Sequence, residues 1–298
     1  MGESFTALPS NPSALLYNPA GLAGLTGVRV SYSQRSLAGE ANWTLRSLNT
    51  SVETPIGVFA AQYNRDDYGT LPITVDNSDR PSVNTYDYDI AIGYAVGLGK
   101  GFSMGVAVKY YGIEGYTPDI SSTFGPAFPS APARLFDVGL TYTFRRFHSQ
   151  AVVEDSLTIG TSYQNIGSAW SGIYSGYRAM WVRSLGPPQY FRGGLSYALK
   201  VVPRTTGDVS PFQAVISTEY RSSQTMGSDA WGFGMECTIN EFLSVRTGGL
   251  LREGGEDNHI RYGLGVRLPF QKLGFDLQLQ YAVIPWYSLS AFSIDIEF

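Results

Sequence analysis

Cysteine is almost missing from this 298-residue chain: Cys237 stands alone, which excludes an internal disulfide framework. Histidine is nearly as scarce, at His148 and His259. No Cys or His cluster has metal-ligand spacing, and the acids at 253–257 lack an EF-hand pattern, so neither a metal nor another cofactor is expected. Charge is thin at 15% and of mixed sign, with a formal net charge of -4, so no basic stripe suits nucleic acid. No apolar run reaches about 18 residues, which excludes a membrane helix. Export leaders begin with a basic and then an apolar segment, and none is visible after Met1.

What is abundant is Gly, at 34 residues, and Tyr, at 20, a profile that favours strands with aromatic girdles over helices. The segment 292–298 alternates Phe292, Ile294, Ile296 and Phe298 against Ser293, Asp295 and Glu297. Successive side chains of a strand point to opposite faces, so one face is wholly apolar and the other carries acids. That suits lipid outside and a wet lumen inside. A strand of this kind with Phe298 at its end also resembles the signal read by the barrel assembly machinery of bacterial outer membranes.

Period-2 alternation recurs along the chain. Tyr86, Tyr88, Ile90, Ile92, Tyr94, Val96 and Leu98 oppose Asp87, Asp89, Ala91, Gly93, Ala95 and Gly97. Candidate strands fall near 28–34, 42–52, 56–64, 84–98, 102–112, 134–144, 156–164, 190–199, 211–221, 230–239, 242–250, 259–268, 272–283 and 286–298. About fourteen strands is an even number, as bacterial single-chain barrels require. The alternation slips at 42–52, 56–64 and 242–250, where bulges are expected. Tight links at 53–55, 100–101, 240–241 and 269–272 interleave with long polar ones at 65–83, 113–133, 165–189, 222–229 and 251–258, matching short periplasmic turns and long outer loops. The links 145–155 and 200–210 are longer than that rule expects, and the last outer link, near Ile284 to Pro285, is very short. The fold class is therefore all-β: a transmembrane antiparallel up-and-down barrel over 28–298, preceded by a plug segment at 1–27.

A soluble β-sandwich also alternates, but its polar face should be crowded with acids and lysines that meet water. Here that face is largely Gly, Ala, Ser and Thr with scattered charges, as a narrow, partly filled lumen requires. The inward charges, among them Asp87, Asp89, Lys109, Arg192, Glu219, Glu236, Arg246, Arg267 and Asp295, are expected to form mixed-sign networks.

Catalysis is not expected. Topology puts His148 and His259 on opposite sides of the membrane, and Asp66, Asp67, Glu256 and Asp257 near His259 read as solvated acids at the rim. The segment 165–189 is more informative, because Trp170, Tyr174, Tyr177, Met180 and Trp181 place much aromatic surface on an outer loop. Phe124 and Phe128 could form a second wall. Such a surface docks a partner, captures a ligand, folds over the barrel mouth or lies in the outer leaflet.

Residues 1–27 do not alternate, and proline and glycine break any long helix there. Their core, SALLYNPAGLAGL, contains the motif Asn18, Pro19, Ala20 and Gly21. It resembles the entry segment of two related families of outer-membrane barrel: the FadL-type channels and the PorV/PorQ proteins of type IX secretion. The motifs FDVGL at 136–140, SYQNIG at 162–167, FRGGLSY at 191–197, RTGG at 246–249 and YGLGVR at 262–267 extend the resemblance to PorV/PorQ over most of the chain. That resemblance implies a fourteen-stranded barrel in a Gram-negative outer membrane, with the plug in its lumen and a leader outside this start. It also implies an accessory role in type IX secretion, docking a secreted cargo or the translocon through outer loops. The FadL alternative implies uptake of a hydrophobic small molecule.

Overall fold

A computed structural model describes residues 4–8, 13–37, 43–75, 78–115, 133–148, 153–167, 188–201, 209–223, 229–252, 259–270, 272–285 and 289–298. Side chains at 70–75, 78–85, 113–115 and 146–148 lie outside the description. Two 3-10 turns, Ala14–Leu16 and Pro19–Gly24, precede fourteen strands. These are β1 Val28–Leu37, β2 Thr44–Thr54, β3 Gly57–Val75, β4 Ser78–Gly99, β5 Phe102–Gly115, β6 Ala133–His148 and β7 Val153–Gly167. The second half comprises β8 Tyr190–Val201, β9 Phe212–Ser223, β10 Ala230–Ile239, β11 Leu243–Arg252, β12 His259–Phe270, β13 Phe275–Ile284 and β14 Leu289–Glu297. Each strand pairs with the next, and β14 pairs with β1, so the sheet is a closed barrel.

Closure is complete along the seam. β1 and β14 are antiparallel in register from Arg29 opposite Glu297 to Leu37 opposite Leu289. Beyond the last pair, the Phe298 amide donates to the Val28 carbonyl at 2.9 Å. Among the described residues no strand is left at a free edge, which is the condition for a sheet to stand in hydrocarbon. No described helix is long and apolar enough to cross a membrane; the crossing is made by strands.

The predicted alternation is realised as an inside and an outside. On β10, Trp231, Phe233 and Met235 are exposed outward, while Gly232 and Gly234 are buried inward. β5 repeats this with Phe102, Met104, Val106 and Val108 outside and Ala107 and Lys109 buried. Such a belt of exposed Ile, Val, Phe and Leu would aggregate in water and is stable only against acyl chains. Phe292, Ile294 and Phe298 belong to it, whereas Ile296 is half-buried.

The strands are longer than their alternation suggested, and two predicted connections change in consequence. Residues 65–83 are not a long loop: β3 and β4 continue as a paired hairpin to Val75 and Ser78, with register shifts between Asp67 and Thr70 and between Leu71 and Ile73. A strand needs only about 9–11 residues to cross the membrane, so this 19- and 22-residue pair projects past it, where neither face must be apolar and the alternation signal vanishes. The 145–155 connection likewise contracts, because His148 pairs with Val153, which restores the short-turn rule on that side. The bulges expected at 42–52, 56–64 and 242–250 are absent, since pairing there runs without a register shift, and at 242–250 the slip is one of burial alone, with Gly248, Gly249 and Leu250 all buried. The Asn240–Glu241 link is tight because both residues adopt left-handed backbone, φ 51 and 52.

The lumen is occupied on one side by residues 4–8 and 13–27. Leu15, Leu22 and Leu25 form a small apolar core with Val58, Ala60, Ala91, Ala95 and Ala107 of β3–β5. Glycines on the neighbouring strands make a shelf for the plug backbone. A Cβ on Gly105 would stand 2.3 Å from the Pro19 carbonyl carbon, and one on Gly160 would stand 2.3 Å from the Thr6 carbonyl oxygen. A Gly105→Ala variant should lose about 1–3 kcal/mol of unfolding free energy in detergent. It should also expose a cysteine placed at Ala14, in a Cys237→Ser background, to a thiol reagent. Gly97→Ala, where a Cβ meets nothing within 4 Å, should do neither.

Candidate functional site

The Asn-Pro-Ala-Gly motif ties the plug together. Asn18 caps the second 3-10 turn, its Oδ1 accepting the Ala20 amide at 3.1 Å, and Pro19 opens that turn with its fixed φ. The Asn18 Nδ2 donates to the Thr6 carbonyl at 2.8 Å and to the Leu140 carbonyl of β6 at 3.2 Å. One side chain therefore joins both halves of the plug to the wall. Gly139 makes room for it, since a Cβ there would lie 1.9 Å from the Asn18 Oδ1. Ala20 is fully buried, and a Cβ on Gly21 would press on the Leu8 carbonyl at 3.1 Å.

A buried ionic chain fastens this assembly to β5–β9. The Glu219 Oε2 accepts the amides of Phe5 at 3.0 Å and Thr6 at 2.9 Å, and its Oε1 takes Arg192 at 2.6 Å. The Arg192 Nε donates to the Gln164 Oε1 at 2.7 Å, and the Gln164 Nε2 donates to the Leu16 carbonyl at 3.0 Å. Next to Gln164, Asp137 pairs with Lys109 at 2.6 Å and accepts the Asn165 amide at 2.8 Å. Asn165 has φ 59 and lies in a bulge of β7, where Asp137 opposes an extra residue. The bulge turns Gln164 and Asn165 toward plug and wall partners together. Ser162 and Ser196 add bonds to the Tyr17 and Ala7 carbonyls, at 2.6 and 2.7 Å.

The opposite side of the lumen is open. A cavity of about 1190 Å³ lies between the plug and the wall built from β8–β14 and β1–β5. The plug turns Phe5, Leu8, Leu16 and Tyr17 toward it. The wall carries paired charges: Arg29 with Glu297 at 2.6 Å, Arg267 with Asp276 at 2.5 Å, and Arg246 with Glu236 and Gln280. The Gln280 Nε2 donates to Asp295 at 2.9 Å, and on the far wall Asp87 accepts the hydroxyls of Tyr68 at 2.9 Å and Tyr111 at 2.6 Å. The expected mixed-sign networks are therefore present, and they divide in two: one locks the plug and the other lines a space.

The plug residues Asn18, Pro19, Ala20 and Gly21 meet inside the barrel, and the apolar residues of β14 lie outside it. Trp170, Tyr174, Tyr177, Met180, Trp181, Phe124 and Phe128 lie outside the described residues. Among the described residues no group of three or more His, Cys, Asp or Glu could hold a metal ion. The plug-holding roles of Glu219, Arg192, Gln164 and Asp137 were not foreseen. Asp137, Gln164 and Arg192 lie in the motifs FDVGL, SYQNIG and FRGGLSY, whereas Glu219 lies in none of them, and what each faces depends on strands far apart in sequence.

A closed fourteen-strand antiparallel barrel with an apolar belt and a polar lumen is a bacterial outer-membrane protein, and this chain is one. No family model matches it, and no curated protein does. Among solved structures it is similar to the Pseudomonas putida toluene transporter TodX, with 12% identity over 99% of this chain and 94% of that chain and a TM-score of 0.52. It is also similar to the TodX monoaromatic hydrocarbon channel deltaS2 mutant, with 11% identity, the same coverage and a TM-score of 0.50. The Ralstonia pickettii toluene transporter TbuX gives 10% identity, 99% and 94% coverage and a TM-score of 0.48. The shared property is the barrel architecture, found in Gram-negative outer membranes.

The two networks should respond differently to mutation. Glu219→Ala strands a buried Arg192 and two plug amides, so unfolding in detergent should show a loss on the order of 3–5 kcal/mol. The Arg267 pairs are about a third exposed to the wet lumen, and Arg267→Leu should cost under about 1 kcal/mol. Equal losses would remove the distinction between lock and lining.

Proposed function

We propose that the protein is an outer-membrane channel for small hydrophobic compounds, the FadL-type reading of its sequence. The observation that carries this is the amphipathic cavity beside a seated plug. Phe5, Leu8, Leu16 and Tyr17 offer apolar surface on one side, while the charged wall keeps water on the other. A ligand pocket of this kind needs an apolar bed and a few polar groups that orient the solute. Supporting it, the architecture matches that of TodX, a toluene transporter, along nearly the whole chain. In this reading the solute passes unchanged, and no residue acts as a catalyst.

A role in type IX secretion rests on the motifs shared with PorV/PorQ proteins, and the fold comparisons add nothing to it. The two readings separate in one experiment. Cells of a Gram-negative host without a hydrocarbon channel of its own, expressing the barrel with an export leader, should take up labelled toluene saturably. Leu16→Glu, which sets a charge on the apolar bed, should lower that uptake roughly tenfold, equivalent to about 1.4 kcal/mol. Correctly folded barrels that give no uptake over cells without them, and that purify with secreted cargo or translocon components, would favour docking instead.

A further inference from the structure

Hydrophobic transport does not explain why the open side of the lumen is so heavily charged. Seven carboxylates and five arginines line the same cavity, from β1, β3, β4 and β10–β14. Burying that many charges dry costs more than their pairing returns, so the space must be wet. Polar groups next to it make the same demand. Both amide atoms of Gln62 and the Oδ1 of Asn49 are buried without a hydrogen-bond partner, close to Ser47 and Asn64 on the cavity wall. Groups of this kind are satisfied by water.

The cavity is also long. On β14 its lining runs from Leu289 to Glu297, and on β1 from Arg29 to Arg35. Eight residue steps at about 3.3 Å, tilted by about 40°, span roughly 20 Å of depth, most of an apolar band of about 25 Å. The space therefore reaches from the strand ends near Glu297 and Asp276 to those near Arg35 and Tyr68, passing the plug without displacing it.

We infer that the open half of the lumen is a standing aqueous conduit for small hydrated ions, running beside the seated plug and favouring cations over anions. The excess of carboxylates over arginines along the wall sets the preference. The conduit shares the cavity proposed for hydrocarbon uptake but uses the opposite face, the charged wall instead of the apolar side of the plug.

The test is electrical. Full-length barrels, checked for folding by their heat-dependent gel mobility, are inserted into planar lipid bilayers in potassium chloride at pH 8 with no ligand added. Discrete conductance steps are expected, and under a salt gradient the reversal potential should lie on the potassium side of zero. Ser293→Trp, which fills the conduit from β14, should cut the step size at least by half, and Asp295→Asn should move the reversal potential toward zero. Folded barrels that give no steps above bare lipid would overturn the proposal. So would an anion preference, or a Ser293→Trp barrel that conducts like the parent. Asp295→Asn, which removes a charge without filling the cavity, should leave toluene uptake unchanged, so either function can fail alone.

Discussion

Everything in this molecule follows from the absence of a hydrogen-bonding solvent in the middle of a membrane. A strand with a free edge would leave a row of amides and carbonyls without partners at several kcal/mol each, so the sheet has to close on itself. Here the closing pair is β1 with β14, and Gly27 sits at the seam because a Cβ there would collide with the Phe298 carbonyl at 2.2 Å. Closure creates two solvents for one sheet, hydrocarbon outside and a confined polar space within. The alternation of side chains is the direct answer to that division.

A closed barrel of fourteen strands is too wide for its own side chains to fill, and the amino-terminal segment occupies what is left on one side. It approaches the wall so closely, by its backbone at Gly105 and Gly160 and by the Leu15 and Asn18 side chains at Gly93 and Gly139, that none of these glycines has room for a methyl group. The segment is then fixed by charge. Glu219 takes up two plug amides and the Arg192 guanidinium with almost no exposure to solvent, a geometry in which each partner depends on the others. Plug position and wall geometry are thus a single cooperative arrangement, and the β7 bulge at Asn165 is part of it.

The other side of the lumen follows different physics. Its ion pairs are partly solvated, adapted to water, and face the apolar side chains of the plug across a cavity. Two kinds of solute find favourable surfaces there. In the functions proposed above, an apolar molecule would lie on Phe5, Leu8 and Leu16, and a hydrated ion would follow the charged wall. The separation of a tightly packed half from a wet half lets one barrel hold its plug firmly and still enclose a cavity beside it.

Much of the barrel was legible without coordinates, because a transmembrane strand imposes its environment residue by residue: Phe292, Ile294 and Phe298 announce lipid, and Asp295 a lumen. Strand number and the parity of the connections follow from the same local signal. It fades where the environment becomes uniform, which is why the β3–β4 extension past Asp67 looked like a loop. The plug lock was not readable, since Glu219 meets Phe5 and Thr6 across more than two hundred residues and nothing in either segment names the other. Local alternation determined which way each side chain points; only the closed sheet decided which of the inward residues would grip the plug and which would line open space, because that depends on where around the circumference the plug comes to rest.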